Sequence, residues 1–359
     1  MGAKLSKYDL DTPALVLDAR ALRNNIEQMA RFFSGQRAKL RPHAKTHKCP
    51  QIARLQLEAG AIGITCAKLG EAEALADVAS DILIANQVVG AQKLARLVAL
   101  RRRADVMVAV DCREHVDALS QAAWAAGATL RVLVEVDVGM GRCGVASAEE
   151  ALELARIVSR APGLRFCGLQ GYEGHAVMIP DPGKRRETAE AAMAYLVGVR
   201  RYIEGHGLPV EIVSGGGTGT YNITGAYPGV DEVQAGSYAT MDAKYAGIVP
   251  EFQPALTVLC TVISRPAADR AILDAGLKAV TSEFGMPLVV GLEEVQCRRL
   301  AEEHAILEGP GASKLRVGDK VELIPSHGCT TINLHERYYV LEGETVVDEW
   351  PIAARGRCQ

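Results

Sequence analysis

The sequence predicts an α/β fold: a (β/α)8 barrel of the TIM type followed by a β-rich C-terminal domain. Three observations carry this. Eight short apolar, β-branched runs alternate mostly with amphipathic helical segments. A polar residue stands at the C-terminal end of nearly every run, where a barrel gathers its strand ends at one mouth. From about residue 246 long helices give way to strands and tight turns.

The N-terminal "ALVLDARALRNNIEQMARFF" reads as a strand and helix preceding the barrel. The eight runs follow as "AKLRPHAK", "AIGITCAK", "DILIANQVV", "DVMVAVD", "LRVLVEVDVG", "LRFCGLQGYEGH", "VEIVSGGG" and "VDEVQAG". Between them, "CPQIARLQLEAG", "LGEAEALADVA", "AQKLARLVALRRR", "REHVDALSQAAWAAG", "SAEEALELARIVSRAPG" and "KRRETAEAAMAYLVGVRRYIEGHG" repeat apolar residues at helical spacing. Most end in Gly, a helix-stop signal. The last connection is short and less clearly helical. Beyond it, "PALTVLCTVISRP", "DRAILDAG", "AILEG", "GDKVELIPSH" and "RYYVLEGETVVDEW" read as strands. The division expected is a barrel at 12–245 and a β-rich domain at 246–359 together with 1–11.

At 359 residues and 48% hydrophobic content the chain can bury a large core. A formal net charge of −3 argues against nucleic acid as a general partner. Nine scattered cysteines without a C-x-x-C pair suit a reducing cytoplasm better than a disulfide framework. The N-terminus carries acids early and has no apolar stretch of signal length, and its Met1-Gly2 is a weak myristoylation signal. No run of membrane-spanning length occurs, so no membrane partner is expected.

"RPHAKTHK" crowds Arg41, His43, Lys45 and His47 onto one face if it is read as a strand. Lys45 then sits in a polar row pointing one way, with Arg41, His43 and His47 as its surroundings, and Lys48 begins the next helix. "SGGGTGT" (Ser214 to Thr220) and "QAGSY" (Gln234 to Tyr238) are glycine-hydroxyl loops at the seventh and eighth strands, where barrels often hold phosphate. A phosphate site plus an inward lysine suggests pyridoxal phosphate. Arg142, bracketed by glycines in "VEVDVGMGRCG", is placed to hydrogen-bond the cofactor's phenolic oxygen, or else to pair with Asp137. In "PSHGCTTINLH", His327 and Cys329 share one side of a strand and offer an imidazole and a thiolate to a metal.

Together, "DTPALVLD", "RPHAKTHK", "VEVDVGMGRCG", "SGGGTGT", "QAGSY", "ILDAGLK", "PSHGCTTINLH" and the closing "IAARG" resemble the D-threonine aldolase and D-serine dehydratase family over nearly the whole chain. These are pyridoxal-phosphate enzymes of the alanine-racemase fold type (fold type III). The resemblance implies a homodimer and a divalent metal (Mn, Zn or Mg) beside the cofactor. It puts the Schiff-base lysine on Lys45, the phenolic-oxygen arginine on Arg142 and the ring-nitrogen partner on Tyr172. It puts phosphate contacts on Thr218, Gly219, Gly236, Ser237 and Tyr238, and metal ligands on His327 and Cys329. Two positions depart from the pattern of bacterial D-threonine aldolases. H-x-C replaces H-x-D at the metal, which is similar to the dehydratase branch and favours zinc. Glu173 also stands where those aldolases have a histidine, so the aldol base is His175, Glu173 or a metal-activated water.

The activity implied is retro-aldol cleavage of small D-3-hydroxy amino acids, such as D-threonine to glycine and acetaldehyde. The alternatives are D-serine or D-3-hydroxyaspartate dehydratase, and D-3-hydroxyaspartate aldolase. A racemase would need a second acid-base tyrosine in a loop of its second domain, and this sequence has no match for that loop. A non-catalytic cofactor carrier would be a barrel alone.

Overall fold

A computed structural model describes residues 5–359; the Met1-Gly2 motif lies outside them. The chain divides into two compact units, Met29–Lys45 with Ile52–Gly236 and Arg357–Gln359, and Met1–Gln28 with Thr46–Gln51 and Ser237–Gly356.

The first unit is the barrel. All eight expected runs form parallel strands: Lys39–Leu40, Ile64–Cys66, Asp81–Ile84, Asp105–Val110, Leu130–Glu135, Leu164–Gly171, Ile212–Gly215 and Glu232–Val233. Each pairs with its successor from the second to the eighth, and the eighth pairs with the first, Lys39 opposite Glu232. A bridge between His43 and Thr65 joins the first strand's extension to the second and closes the ring. The helices between strands bury one stripe each; Ala91–Leu100 turns Leu94, Leu97, Val98 and Leu100 inward. Ser147 and Asp181 cap two of them, accepting from the N–H groups of Glu150 and Lys184, and Pro182 fixes the first turn after Asp181.

The period-two alternation of the strands sorts the interior into three layers. Arg41, Asp81, Asp105, Arg131 and Glu232 form an ion-pair layer at the strands' N-terminal ends. Leu83, Met107, Leu133 and Cys167, all fully buried, form an apolar layer with Ile212 packed against them. Gln87, Asp111, Glu135, Gln170, Ser214 and Gln234 form a hydrogen-bonded polar belt at the C-terminal ends. Two residues on, the same inward parity that buries Arg41 in the lower layer puts His43 nearer the mouth.

The second unit is a mixed β-sheet with strands ordered Gln296–Leu300, Ala305–Glu308, Arg270–Leu273, Leu256–Ala267, Ala14–Asp18, Arg337–Glu342, Thr345–Pro351; Lys320–Ile324 also pairs with Leu256–Ala267. Three expectations change here. The N-terminal strand belongs to this sheet, with Ala14 opposite Leu259 and Val16 opposite Tyr339, because its partners come from the far end of the sequence. The unit resumes at Ser237 rather than 246, since the Ser237–Met241 turn packs with it. "PSHGCTTINLH" is not a strand: Gly328–Ile332 is one helical turn with His327 at its N-cap. Among the described residues no helix is long and apolar enough to cross a membrane.

Candidate active site

The mouth of the barrel converges on one aromatic ring. Tyr172 follows the sixth strand, and Lys45 Nζ stands 6.0 Å from its centroid. The Arg142 guanidinium stands 5.7 Å from the same centroid, both at cation–π range. The ring also presses on the glycine turn: a Cβ at Gly217 would lie 3.2 Å from Tyr172 Cε2 and 3.4 Å from its hydroxyl. Lys45 and Tyr172 lie 127 residues apart in sequence, and barrel closure brings them together.

The Arg142 loop is held from below. Asp137 accepts N–H groups from Gly139 and Gly141 at 3.0 and 3.1 Å, so it serves the loop backbone instead of pairing with Arg142. Burial opposes ionisation of Asp137, yet these N–H groups and His175 hold its pKa below the usual carboxylate value. Asp111 accepts the Gly144 N–H at 3.0 Å and anchors the loop's other end. Asp111, Cys112 and His115 also bring three donor atoms within 4.8 Å of one another. They sit at the N-terminus of the helix Arg113–Ala125, where the dipole repels a cation, and Asp111 lies 3.0 Å from His115 in an ion-pair arrangement. Below the loop, burial pushes the Glu135 carboxyl up, while Gln87 donates to it at 2.5 Å.

The glycine turn is built for close approach. Gly216 has φ +77°, and a Cβ on Gly219 would lie 1.9 Å from the Val177 carbonyl oxygen. Thr218 is buried beside it. Glycine at these positions lets the turn lie directly on Val177, Val233 and Thr224, and a glycine-hydroxyl turn at this end of a barrel fits the phosphate of pyridoxal phosphate. Gly236 closes the eighth strand's loop in the same unit, whereas Ser237 and Tyr238 belong to the second unit. There Ser237 Oγ lies 3.9 Å from Cys329 Sγ, and Tyr238 is fully buried with its ring 5.8 Å from that of Phe252.

Other members of "RPHAKTHK" have different duties. Arg41 does not surround Lys45: it is spent on Glu232 and Asp81 in the lower layer. His47 is fully buried, accepts the Cys49 N–H and offers its carbonyl to the Tyr338 hydroxyl. Lys48 takes a left-handed φ of 53° ahead of the helix that starts at Pro50. The strand reading fails past His43 because residues 44–47 fold into a turn. His175 is exposed and lines a recess of about 460 Å³ with Lys184, Glu187 and Thr188 of the long helix. Glu173 is fully buried.

In the second unit, His327 and Cys329 are joined by a side-chain hydrogen bond across the helical turn. His327 Nδ1 lies 2.7 Å from Glu283, and Phe284 stacks on the ring at 4.3 Å. Cys329 Sγ is 3.2 Å from Thr46 Oγ1. Asp242, buried and pushed up by burial, accepts the Gly328 N–H at 2.9 Å and fixes the turn between the two residues. Burial alone would lower the His327 imidazole; Cys329, Glu283 and Asp242 overcome it and raise its pKa to about 9. An imidazole oriented by a carboxylate and facing a thiol is a donor set that fits a zinc-like ion. Sequence reading missed Glu283, which lies 44 residues from His327 with no motif to mark it. It also missed Asp242, although an Asp before "AKYA" is a helix N-cap signal.

Residues 17–244 match the family described as alanine racemase, N-terminal domain, and residues 255–341 the putative serine dehydratase domain. The chain is 41% identical to a D-threonine aldolase from Arthrobacter sp., over 97% of this chain and 93% of that one. The chain belongs to the D-threonine aldolase and D-serine dehydratase family. Members of this family are lyases of the alanine-racemase fold, and that fold type implies pyridoxal phosphate. A crystal structure of D-threonine aldolase from Filomicrobium marinum superposes with a TM-score of 0.96 at 39% identity, covering 100% of both chains. On the dehydratase side of the family, a cysteine-to-alanine mutant of D-threo-3-hydroxyaspartate dehydratase, in the metal-free form, gives 0.88 at 29% identity, covering 97% of this chain and 99% of that one.

Proposed function

We propose that this protein is a pyridoxal-phosphate- and divalent-metal-dependent D-threonine aldolase, cleaving small D-3-hydroxy amino acids to glycine and an aldehyde. The observation that supports it is the meeting of Lys45, Arg142 and the glycine turn on the Tyr172 ring. Bound there, pyridoxal phosphate supplies an electron sink for the carbanion left when Cα–Cβ breaks. A metal on His327 and Cys329 supplies Lewis acidity that lowers the pKa of the substrate β-hydroxyl.

The chain's own residues do the rest. Lys45 would supply the amine that holds the cofactor. Arg142 hydrogen-bonds the phenolic oxygen. Tyr172 would serve as the partner of the cofactor's ring nitrogen. Thr218, Gly219 and Gly236 would hold the phosphate. Glu283 orients His327, and Asp242 sets the spacing of the two ligands. The proton of the β-hydroxyl goes to His175, whose ring lies beside the Asp137 loop, 3.3 Å from where a Cβ of Gly139 would stand.

The second reading is dehydration, in which the β-hydroxyl leaves and Lys45 removes the α-proton. Cys329 favours it, since thiolate in place of a carboxylate matches the dehydratase branch. Product identity decides between them. D-threonine with added pyridoxal phosphate and a divalent metal yields glycine and acetaldehyde from an aldolase. 2-Oxobutanoate and ammonia would make it a dehydratase. Turnover of D-3-hydroxyaspartate alone, to glycine and glyoxylate, would narrow the substrate to that acid.

A further inference from the structure

Glu173 was a candidate base by position, next to Tyr172, but its carboxylate faces into the protein. It is fully buried. Its Oε2 accepts the Gly216 N–H at 3.0 Å, and its Oε1 accepts the Thr220 hydroxyl at 2.7 Å and the Thr224 hydroxyl at 2.5 Å. Thr220 Oγ1 in turn accepts the Gly217 N–H at 3.3 Å. One carboxylate from the end of the sixth strand therefore reaches beneath the whole turn after the seventh, from Gly216 to the short helix Tyr221–Thr224.

This arrangement has a specific consequence. The Gly216–Thr220 backbone has too few side chains to fix its own shape, and Gly216, at a φ of +77°, has no Cβ to restrict it. A turn that binds an anion must already point its donors outward, or binding has to order it first. Three hydrogen bonds to a buried carboxylate supply that order from below. Fully buried and turned onto Gly216, Thr220 and Thr224, the carboxylate does not face a substrate.

We propose that Glu173 is a positioning residue that presets the glycine turn to receive the cofactor's phosphate, and that it takes no part in proton transfer. This rests on the reading that the turn holds that phosphate.

The test compares pyridoxal phosphate with pyridoxal, which lacks the anion, by binding titration of the apo full-length chain. Glu173→Gln, Glu173→Met and Thr224→Val are set beside wild type. Wild type binds the phosphorylated form more tightly. Glu173→Met loses about tenfold or more of that preference, Glu173→Gln and Thr224→Val lose less, and pyridoxal affinity stays the same in all. At saturating cofactor the pH profile of kcat is unmoved in Glu173→Gln. Equal losses for both ligands would make Glu173 a general structural support and overturn the proposal. Unchanged binding with a shifted pH profile would make it the base and also overturn it. If wild type shows no preference between the ligands, the phosphate reading itself fails, separately from the role of Glu173. Should Glu173→Met not fold, the isosteric Glu173→Gln and Thr224→Val carry the same comparison, and an undiminished preference in both refutes it.

Discussion

Replacing Arg41 by Met tests whether the lower layer of the barrel, and not the active site, is where that arginine acts. The guanidinium is 2% exposed. Its Nε and Nη2 meet both oxygens of Glu232 at 3.0 and 2.8 Å, and Nη1 meets Asp81 at 2.8 Å. Although burial opposes it, Glu232 and Asp81 hold the guanidinium pKa above its usual value. Gly63 makes this possible, because a Cβ there would lie 2.1 Å from Nη1. In Arg41→Met, Asp81 keeps Arg131 as a partner, but Glu232, 5% exposed, loses its cation. Stranding a buried charge costs about 3–5 kcal/mol. That is a large share of the ~5–15 kcal/mol that holds a typical protein folded. Urea titration reads it as a lower midpoint at unchanged slope. Replacing both partners, Arg41→Met with Glu232→Met, removes the stranded charge and recovers most of the loss. A single-variant loss below about 1 kcal/mol, or a double variant as weak as the sum of the singles, would refute the reasoning. The apolar layer of Leu83, Met107 and Leu133 lies above this network, so the double variant also leaves pyridoxal phosphate affinity unchanged.

Three further outcomes are expected. Lys45→Ala abolishes the visible absorbance of the lysine-linked cofactor and all turnover; retained absorbance would remove Lys45 from its role. Glu283→Gln weakens zinc binding to the apo chain by about tenfold, because the carboxylate no longer orients His327; calorimetric titration reads this without turnover, and unchanged affinity would exclude His327 as an oriented ligand. Glu135→Gln changes how stability depends on pH. The folded-state pKa of Glu135 is raised, so the native chain binds its proton more tightly than the unfolded chain, and the native state loses stability as pH rises from the ordinary carboxylate value through the raised one. The Gln variant is spared this, so its melting temperature gains on wild type between about pH 4 and neutrality and not below. A constant difference across that range would show that Glu135 folds ionised.

The sequence by itself determined the eight-strand order, the helices between strands, and the β-rich texture of the C-terminal part. Those follow from local periodicity and stop signals, which act within one element. It also offered Lys45, Arg142 and the glycine turn as candidates from their compact motifs, and Tyr172 from the family resemblance. Tertiary structure decided what depends on partners distant in sequence. Ala14–Asp18 joined the mixed sheet because Leu256–Ala267 and Arg337–Glu342 offered it edges. Arg41 left the active site because Asp81 and Glu232 lay within reach of it. Glu173 became the turn's support because Gly216, Thr220 and Thr224 folded over it. Glu283 came to His327 across 44 residues. A side chain's duty is set by whichever charges and donors closure brings within hydrogen-bond range, and no spacing in the sequence encodes that distance.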